Sequence, residues 1–438
     1  MAKQIRHLLQ RLHGMRSTAI YLASNLASAA VPFLLLPILV RLLSPAEYGQ
    51  IALFQALFNI ILAFVGINLV GGVKRRFFNQ GKNGSEQDYS DYIATVFLLL
   101  FATTAIVMIV IVLLEDWLGD LTGFGLWILL LAVAVAVGKF IVDLRLGDYQ
   151  VRRQPVAFGL LQTLLAFANG AVSLAIVFYL MRSAEGRIVG MAAAFGFFAL
   201  VSIVSLIRAG RIGRRITRDK ITDAIAFGVP LVPHTLGLVL TASIDRFFVA
   251  EYSGLAVAGI YAAGIQIVFM LRIVMESINT AFQPWIFERM GSEEGAAGSA
   301  VPLAIYRLIA LTLAMGLAFA AISPLLVNIV LGEQYAGIIP VMPVLIIGAI
   351  FHGFYLYTMS ILVYIGATGR LAYVTIAVGI LTCALLFVLT PPYGAFGAAT
   401  AVAVGGAIRA LAVQIMAVRY TSLEWKLPSI GTLVGKAR

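Results

Sequence analysis

The sequence predicts an all-α protein that crosses a membrane about twelve times, and three observations lead to this fold class. Of its 438 residues, 61% are hydrophobic and 12% are charged, whereas soluble proteins are roughly 45–50% apolar and about 25% charged. Twelve segments approach or exceed the length of about 20 apolar residues that a spanning helix needs. The basic residues lie mainly between alternate segments, which is typical of a polytopic membrane protein.

The twelve apolar segments are separated by short polar stretches. The seventh and eighth are the least distinct, because the amphipathic stretch "IDRFFVAEYSG" joins them. Before the first, residues 1–16 place Ile5, Leu8 and Leu12 on one helical face, which predicts an amphipathic helix on the membrane surface. The predicted spans are residues 17–43, 50–73, 92–114, 124–142, 156–181, 188–207, 224–244, 256–280, 303–331, 338–365, 371–390 and 394–418.

The distribution of lysine and arginine predicts the orientation of the chain. With the N-terminus inside, the inner segments contain 23 of these residues and the outer loops contain 3. Because basic loops stay in the cytoplasm, we expect both termini there, including a tail at residues 421–438. Cytoplasmic loops beside anionic headgroups also account for the net charge of +11, so nucleic acid is not an expected partner.

The chain shows weak internal similarity. "VPFLLLP" (31–37) in the first span is similar to "VPLVP" (229–233) in the seventh, and each precedes a charged position and a Gly/Tyr-rich stretch. Six plus six spans in one orientation predict two lobes, at residues 17–222 and 223–420. Transporters that work by alternating access have this architecture.

Motifs for covalent chemistry are absent from the sequence. It contains no G-x-x-x-x-G-K-[ST] phosphate loop and no H-E-x-x-H zinc motif. Its single cysteine, Cys383, excludes an internal disulfide and a cysteine metal site. We therefore expect a transporter rather than an enzyme, with no catalytic residue, metal or cofactor. A coupling ion, Na⁺ or H⁺, stays open.

Charged side chains inside the apolar segments are the candidate functional residues. Each costs at least about 2.5–3.5 kcal/mol at mid-membrane, so it usually faces a cavity or a partner. Arg41, near the outer end of the first span, either snorkels to the interface or faces a cavity. Arg272 and Glu276 share a face of the eighth span, as a structural ion pair or as a cavity-lining pair.

Other charged residues lie near the ends of spans. Arg75 either anchors the inner end of the second span or receives a phosphate there, and Arg246 pairs locally with the preceding aspartate. Lys139 and Asp143 have helical i, i+4 spacing, and Arg409 is interpreted as an end anchor. Basic residues outnumber acidic ones at these positions, which favours an anion such as phosphate or diphosphate as the bound group.

Two stretches resemble the signatures of polysaccharide-export flippases. "RLLSPAEYG" begins the stretch 41–77, which is similar to the first signature, R-x-L-[ST]-x-x-E-[YF]-G, then a span, then a glycine motif running to an arginine. The stretch 243–290, beginning "SIDRFF", is similar to the second signature, D-R-[FY], then G-I-Y, then a proline and an aromatic/Glu cluster. The chain thus resembles O-antigen-type oligosaccharide flippases of the multidrug/oligosaccharidyl-lipid/polysaccharide (MOP) superfamily.

The resemblance implies a two-lobed, MATE-like fold and a flippase of the bacterial cytoplasmic (inner) membrane. Its substrate would be polyprenyl-diphosphate-linked oligosaccharide for cell-surface polysaccharide biosynthesis. The motifs make Arg41, Arg75 and Arg246 candidate substrate-binding residues, and the depth and spacing of Arg272 and Glu276 add those two. Implied partners are the lipid-linked oligosaccharide, membrane lipids, a polysaccharide polymerase and glycosyltransferases.

Two other functions stay open. A cation-coupled multidrug exporter of the same superfamily would need buried carboxylates, but the first two predicted spans contain no acidic residue. A membrane glycan polymerase or ligase would be expected to have a large outer loop with catalytic Arg or His residues, and the predicted outer loops are short.

Overall fold

The computed structural model describes residues 2–79, 85–291 and 298–425, and every regular element within them is helical. Short 3-10 or π segments follow α9 and α13. The α-helices, in chain order, are α1 (Ala2–Leu42), α2 (Pro45–Phe64), α3 (Leu69–Asn79), α4 (Glu86–Leu113), α5 (Glu115–Thr122), α6 (Leu126–Val151), α7 (Pro155–Tyr179), α8 (Ala184–Arg208), α9 (Arg218–Gly228), α10 (Val232–Ser243), α11 (Asp245–Ser253), α12 (Leu255–Met290), α13 (Ala300–Leu326), α14 (Met342–Tyr364) and α15 (Thr368–Tyr420).

Eleven helical segments of the described chain are long and apolar enough to cross a membrane. One of them, Gly369–Tyr420, has 52 residues and would be about 78 Å long if straight, far more than the roughly 30 Å of a hydrocarbon core. It is interrupted at Gly394, where φ is 53° and ψ is −135°. Counted as two spans, it raises the total to twelve, and the predicted all-α polytopic fold is confirmed.

The second predicted span, residues 50–73, differs from the structure. Helix α2 ends at Phe64, and α3 begins at Leu69. Gly66, Ile67 and Asn68 all have positive φ between these helices. Since a right-handed helix cannot continue through three such residues, the apolar run is divided in two.

The N-terminal residues belong to the same helix as the first span. Helix α1 runs without a break from Ala2 to Leu42. The side chains of residues 2–19 lie outside the described part of the structure, so the membrane-surface placement of residues 1–16 stays a prediction. So does the orientation of the two termini, and the tail from residue 426 onward is also outside the described residues.

The chain divides into two compact units. Unit 1 comprises Met1–Leu43 and Gln50–Val239, and unit 2 comprises Ser44–Gly49 and Leu240–Arg438. The predicted lobes, by comparison, divide at residues 222 and 223. The difference arises because the predicted seventh span contributes its first part to unit 1 and its last residues to unit 2.

In each unit, the fourth span packs against several other helices. In unit 1, α6 packs against α3, α4, α7 and α8. In unit 2, α14 packs against α12, α13 and α15. Helix α6 is the fourth span of the chain and α14 is the tenth, which makes each the fourth span of its half. The internal repeat that the sequence suggested stays a prediction.

A buried ion network joins α4 to α6 within unit 1. The side chain of Asp148 is 1% exposed, and its carboxylate accepts hydrogen bonds from Arg145 over 2.5 Å and from Arg152 over 2.8 Å. The hydroxyl of Tyr89 donates to the same carboxylate over 3.0 Å. Arg152 also pairs with Glu86 at the start of α4. A buried carboxylate requires such partners, so this network holds the ends of these helices in register.

Candidate functional site

A cavity of about 900 Å³ lies inside unit 1. Its walls come from α1, α2, α3, α6, α7 and α8, together with the stretch 231–239. The volume is near the upper end of the range of roughly 300–1,000 Å³ that ligand pockets occupy. A cavity of this size, with charged and amide side chains in an otherwise apolar lining, is the leading candidate for a binding site.

Three cationic side chains and one carboxylate line the cavity. The ammonium of Lys74 donates to Oε1 of Gln150 over 2.7 Å, and that of Lys139 pairs with Asp143 at 2.5 Å, as the i, i+4 spacing predicted. Arg187 adds the third positive charge. Burial lowers the pKa of Lys74, and the charge of Asp143 opposes this effect. With all four groups ionised, the cavity has a net positive charge and favours an anionic or neutral ligand.

Arg187 is held in place by two side chains of α7. One terminal guanidinium nitrogen donates to Oδ1 of Asn169 over 2.9 Å and to Oγ of Ser173 over 2.6 Å. Arg187 is 6% exposed. In the sequence it was counted with an outer loop, but α8 already begins at Ala184, which places it inside the unit.

Amide side chains form most of the remaining polar lining. The Nε2 amide of Gln162 donates to Oδ1 of Asn25 over 2.9 Å, which joins α7 to α1. The hydroxyl of Thr235 donates to Oδ1 of Asn68 over 3.0 Å. The cavity is lined by six amide residues, namely Asn25, Asn59, Asn68, Gln150, Gln162 and Asn169.

A strained turn between α2 and α3 carries one of these amides. Ile67 has φ of 38° and Asn68 has φ of 58°, and a β-branched residue at positive φ is a genuine outlier. A Cβ atom on Gly66 would lie 2.2 Å from the ring of Phe140, and one on Gly228 would lie 2.3 Å from the carbonyl oxygen of Ile67. These close contacts impose the turn that brings Asn68 to the cavity. Strain of this kind often marks a functional site.

A second group of charged side chains lies in unit 2, on α12, α14 and α15. Nδ1 of His352 is 3.5 Å from a terminal nitrogen of Arg409, and Nε2 of His352 is 3.4 Å from Oε1 of Glu276. The guanidinium of Arg409 lies over the ring of Tyr355, 4.5 Å from its centroid. Arg272 interacts electrostatically with Glu276 and Arg409.

The two arginines of this group retain hydrogen-bonding capacity. The Nε atoms of Arg272 and Arg409 are buried and have no hydrogen-bond partner among the described residues. Buried donors without partners are unfavourable, and two guanidinium groups beside a single carboxylate suit an oxyanion. Arg409 therefore differs from the end anchor that the sequence suggested. Glu276 has His352 as its close partner instead of forming an isolated pair with Arg272.

The two sequence-predicted arginines of unit 1 lie outside the lining of its cavity. Arg41 is exposed in the last turn of α1. Arg75 pairs with Asp223 at 2.7 Å and lies over the ring of Phe227. The neighbouring Lys74, which directly follows the second predicted span, lines the cavity instead.

Arg246 follows Asp245, which is buried in unit 2. The backbone N–H of Arg246 donates to Oδ1 of Asp245 over 2.9 Å, and the hydroxyl of Tyr261 donates to Oδ2 of Asp245 over 2.9 Å. Asp245 is 5% exposed. Burial raises the pKa of its carboxyl, whereas the positive charge of Arg246 lowers it. The D-R pair thus has a structural role here, and a role for Arg246 in binding stays a prediction.

The motif "SPAE" forms the beginning of helix α2. Ser44 and Glu47 form a capping box, in which the Ser44 N–H donates to Glu47 over 2.8 Å and the Glu47 N–H donates to Ser44 Oγ over 3.3 Å. Further along, a Cβ on Gly49 would lie 2.1 Å from the carbonyl oxygen of Leu255, and one on Gly259 would lie 1.8 Å from that of Pro45. The glycines of both signatures therefore allow the backbones of residues 45–49 and 255–259, both in unit 2, to touch.

Sequence reasoning missed the amides, although a signal for them was present. Gln162 and Asn169 are seven residues apart on α7, and Asn25 and Ser28 are three apart on α1. Polar residues at these spacings occupy one face of a helix, and in an apolar span such a stripe indicates contact with another helix or with a cavity.

Within residues 2–79, 85–291 and 298–425, no group of three His, Cys, Asp or Glu side chains is arranged to hold a metal ion.

Comparisons with known proteins agree with this architecture. A family model described as "Polysaccharide biosynthesis protein" matches residues 15–290. An uncharacterized membrane protein of Haemophilus influenzae is 24% identical over 282 residues, which are 63% of this chain and 66% of that protein. The chain thus spans just under two thirds of the length of this relative.

Two solved structures have similar folds. An inward-facing multidrug resistance MATE family transporter of the MOP superfamily has a TM-score of 0.70 and 14% identity, over 91% of this chain and 93% of that one. The lipid II flippase MurJ, in an inward closed conformation, has a TM-score of 0.73 and 12% identity, over 95% and 89% respectively. At such identities the likeness shows the fold alone, and it confirms the predicted MATE-like fold.

Proposed function

The chain belongs to the polysaccharide biosynthesis protein family, and from that premise we propose that it is a transporter that translocates polyprenyl-diphosphate-linked oligosaccharide. The step would cross the bacterial cytoplasmic membrane and supply surface polysaccharide such as O-antigen. Partners would be membrane lipids, the glycosyltransferases that build the substrate and the polymerase that consumes it.

The observation that carries this proposal is the cavity of unit 1. It contains amide and charged side chains in an otherwise apolar lining, has a net positive charge with its groups ionised, and lies within a unit whose other helical surfaces are largely apolar. A lipid-linked oligosaccharide needs such a compartment, because its glycan and diphosphate cannot cross hydrocarbon unaided. The single carboxylate of the cavity, Asp143, is paired with Lys139, which does not favour an organic cation as substrate.

In the proposed mechanism, arginines bind the diphosphate and the prenyl chain stays in the lipid. The guanidinium groups of Arg272 and Arg409, which lie near the single carboxylate of Glu276, would take this role. Glu276 would limit the positive charge of the empty site. Arg41, Arg75 and Arg246 remain candidates from the family signatures. Alternating access would then expose the bound substrate to the opposite side of the membrane.

The proposal is tested in cells from which the gene has been deleted. We expect such cells to lose surface polysaccharide and to accumulate lipid-linked oligosaccharide that a membrane-impermeant reagent cannot reach. The wild-type chain should restore both readouts. Arg187→Gln should not, whereas Arg218→Gln, at the exposed start of α9, should. Unchanged polysaccharide together with altered drug resistance would indicate an exporter. Formation of a glycosyl-transfer product by the purified chain would indicate an enzyme.

A further inference from the structure

We propose that a groove on the lateral surface of unit 1 binds one anionic phospholipid, with the phosphate at Arg208 and an acyl chain along α8. The groove has a volume of about 680 Å³ and is lined by residues of α6 and α8, together with Ala209. It shares none of its lining residues with the cavity described above. The site is therefore separate from the one that the transported substrate would use.

The apolar wall of the groove is a stripe of side chains along α8. It is formed by four side chains that are 40–64% exposed, namely Phe197, Leu200, Val201 and Val204. Their spacing places them on one face of the helix, and Arg208 follows Val204 by four residues on the same face. Because α8 is long and apolar enough to cross a membrane, an exposed apolar stripe on it faces hydrocarbon.

The length of the stripe corresponds to one leaflet of a bilayer. From Phe197 to Arg208 the helix rises about 16 Å at 1.5 Å per residue, and half of a hydrocarbon core is roughly 15 Å thick. Phe197 lies near the midpoint of α8, and Arg208 is its last residue. The stripe thus extends from the middle of the membrane to one surface, which the distribution of basic residues predicts to be the cytoplasmic one.

Three polar residues form the end of the groove, namely Arg145, Ser205 and Arg208. Nε and one terminal nitrogen of Arg145 donate to Oγ of Ser205 over 3.1 Å and 2.8 Å, and its other terminal nitrogen donates to Asp148. These bonds hold the buried guanidinium in place. Arg208 is exposed and makes no hydrogen bond or ion pair with any described residue, so its guanidinium is available to an anion from outside.

The charge at this end of the groove stays positive after the neighbouring ion pairs are counted. Two carboxylates, those of Asp148 and Glu86, pair with three arginines, namely Arg145, Arg152 and Arg211. Arg208 adds a fourth, and four arginines against two carboxylates leave two positive charges. Neither carboxylate lines the groove, so a bound anion would meet the arginines first.

A phospholipid of negative net charge matches both ends of the groove. Its acyl chain fits the apolar stripe, and its phosphodiester accepts charge-assisted hydrogen bonds from guanidinium groups. Basic pockets at the cytoplasmic ends of spanning helices bind lipid headgroups in this way. A zwitterionic lipid would place its own cation beside the same arginines, which weakens the attraction. The groove should therefore select anionic over zwitterionic lipids that have the same acyl chains.

Native mass spectrometry of the purified full-length protein in detergent tests the headgroup end. The probes are dioleoyl phosphatidylglycerol and dioleoyl phosphatidylcholine. We expect the wild type to bind phosphatidylglycerol at least about fivefold more tightly, and Arg208→Gln to lose most of this preference. Arg208→Lys keeps the charge and should keep most of the preference. The matched control is Arg419→Gln, an exposed arginine in the last turn of α15, which should bind as the wild type does.

The apolar wall is tested by Val204→Trp, which fills the groove beside Arg208 without changing the charge. We expect this variant to bind phosphatidylglycerol at least about threefold more weakly than the wild type. Thermal unfolding identifies misfolded variants. Both substituted side chains are exposed, and they lie at different parts of the groove, so the test stays decisive if one variant misfolds.

Three results would overturn the lipid site. Equal wild-type affinities for the two lipids would show that the arginines do not select the headgroup. Equal losses in Arg208→Gln and Arg419→Gln would indicate attraction to any basic surface, and unchanged binding by Val204→Trp would place the lipid elsewhere. A dimer that is lost in Val204→Trp would show instead that a second copy of the chain covers the groove.

Discussion

The amide of Gln162 donates a hydrogen bond to Oδ1 of Asn25 over 2.9 Å, while the carbonyl oxygen of the same Gln162 side chain has no partner among the described residues. One half of the side chain therefore joins two helices of unit 1, and the other half is a buried acceptor without a partner among the described residues. An unpartnered buried polar atom of this kind costs about 1–3 kcal/mol.

The ion network around Asp148 should contribute strongly to the free energy of unfolding. Asp148→Asn leaves Arg145 and Arg152 without their shared carboxylate, and we expect a loss of about 3–5 kcal/mol in the free energy of unfolding. Denaturant unfolding in detergent measures it. The comparison variant is Arg75→Gln, whose pair with Asp223 is 40% and 37% exposed and should contribute less than about 1 kcal/mol. Similar losses in the two variants would contradict the structural role of the network.

Alanine should destabilise the protein more at Gly66, in the left-handed turn at residues 66–68, than at Gly210. Gly66 has φ of 69° and Gly210 has φ of 64°, so alanine at either position adds a backbone strain of about 1–2 kcal/mol. A Cβ on Gly66 also meets the ring of Phe140, whereas a Cβ on Gly210 has nothing within 4 Å. Gly66→Ala should therefore lower the thermal midpoint clearly more than Gly210→Ala does. Partial recovery is expected in Gly66→Ala/Phe140→Leu, and equal midpoints for the two single variants would refute the packing argument.

Substitution of Arg272 or Arg409 in unit 2 should impair transport. Arg272→Gln removes charge-assisted hydrogen bonds worth about 1.5–3 kcal/mol, so we expect translocation to fall roughly 10- to 100-fold at unchanged expression. Arg409→Gln should behave in the same way. Arg419→Gln, an exposed position in the last turn of α15, serves as the control and should transport normally. Normal transport by both Arg272→Gln and Arg409→Gln would exclude this pair as the diphosphate site.

Asp245 predicts a dependence of stability on pH. Burial raises the pKa of its carboxyl above the ordinary value of 3.8. The folded state then binds the proton more tightly than the unfolded state does. The stabilisation of the fold by this bound proton is complete below pH 3.8 and is lost as the pH rises through the folded-state pKa. Asp245→Asn retains an acceptor for Tyr261 but does not titrate, so the stability of this variant should decrease less steeply as the pH rises. Thermal midpoints measured from pH 4 upward test this, and parallel curves for wild type and variant would contradict it.

The sequence predicted the membrane spans well for a physical reason. In hydrocarbon each helix must satisfy its own backbone hydrogen bonds, so the length of an apolar run nearly determines the element. The break in the second predicted span could not be found this way. It depends on contacts of Gly66 with Phe140 and of Gly228 with Ile67, residues that are far apart in the chain.

The candidate site was only partly predictable from the sequence. Charge drew attention to Arg272 and Glu276, and the structure groups these residues with His352 and Arg409. The sequence placed Lys74 and Arg187 in loops. Whether a cation at the end of a span faces inward depends on the exact helix boundary and on the packing of the chain, which the sequence does not show. The amides carry no charge and were missed, although their helical spacing on α1 and α7 was visible in the sequence.

The most direct test of the account is lipid translocation by the purified chain in proteoliposomes. The substrate is undecaprenyl diphosphate carrying one N-acetylglucosamine, and a membrane-impermeant glycosyltransferase that labels this sugar reports the outer fraction. We predict that the wild type exposes inner-leaflet substrate to labelling and that Arg272→Gln does so at least about tenfold more slowly. If wild-type vesicles label no more lipid than protein-free vesicles do, the chain does not flip such a lipid, and the proposed function is wrong.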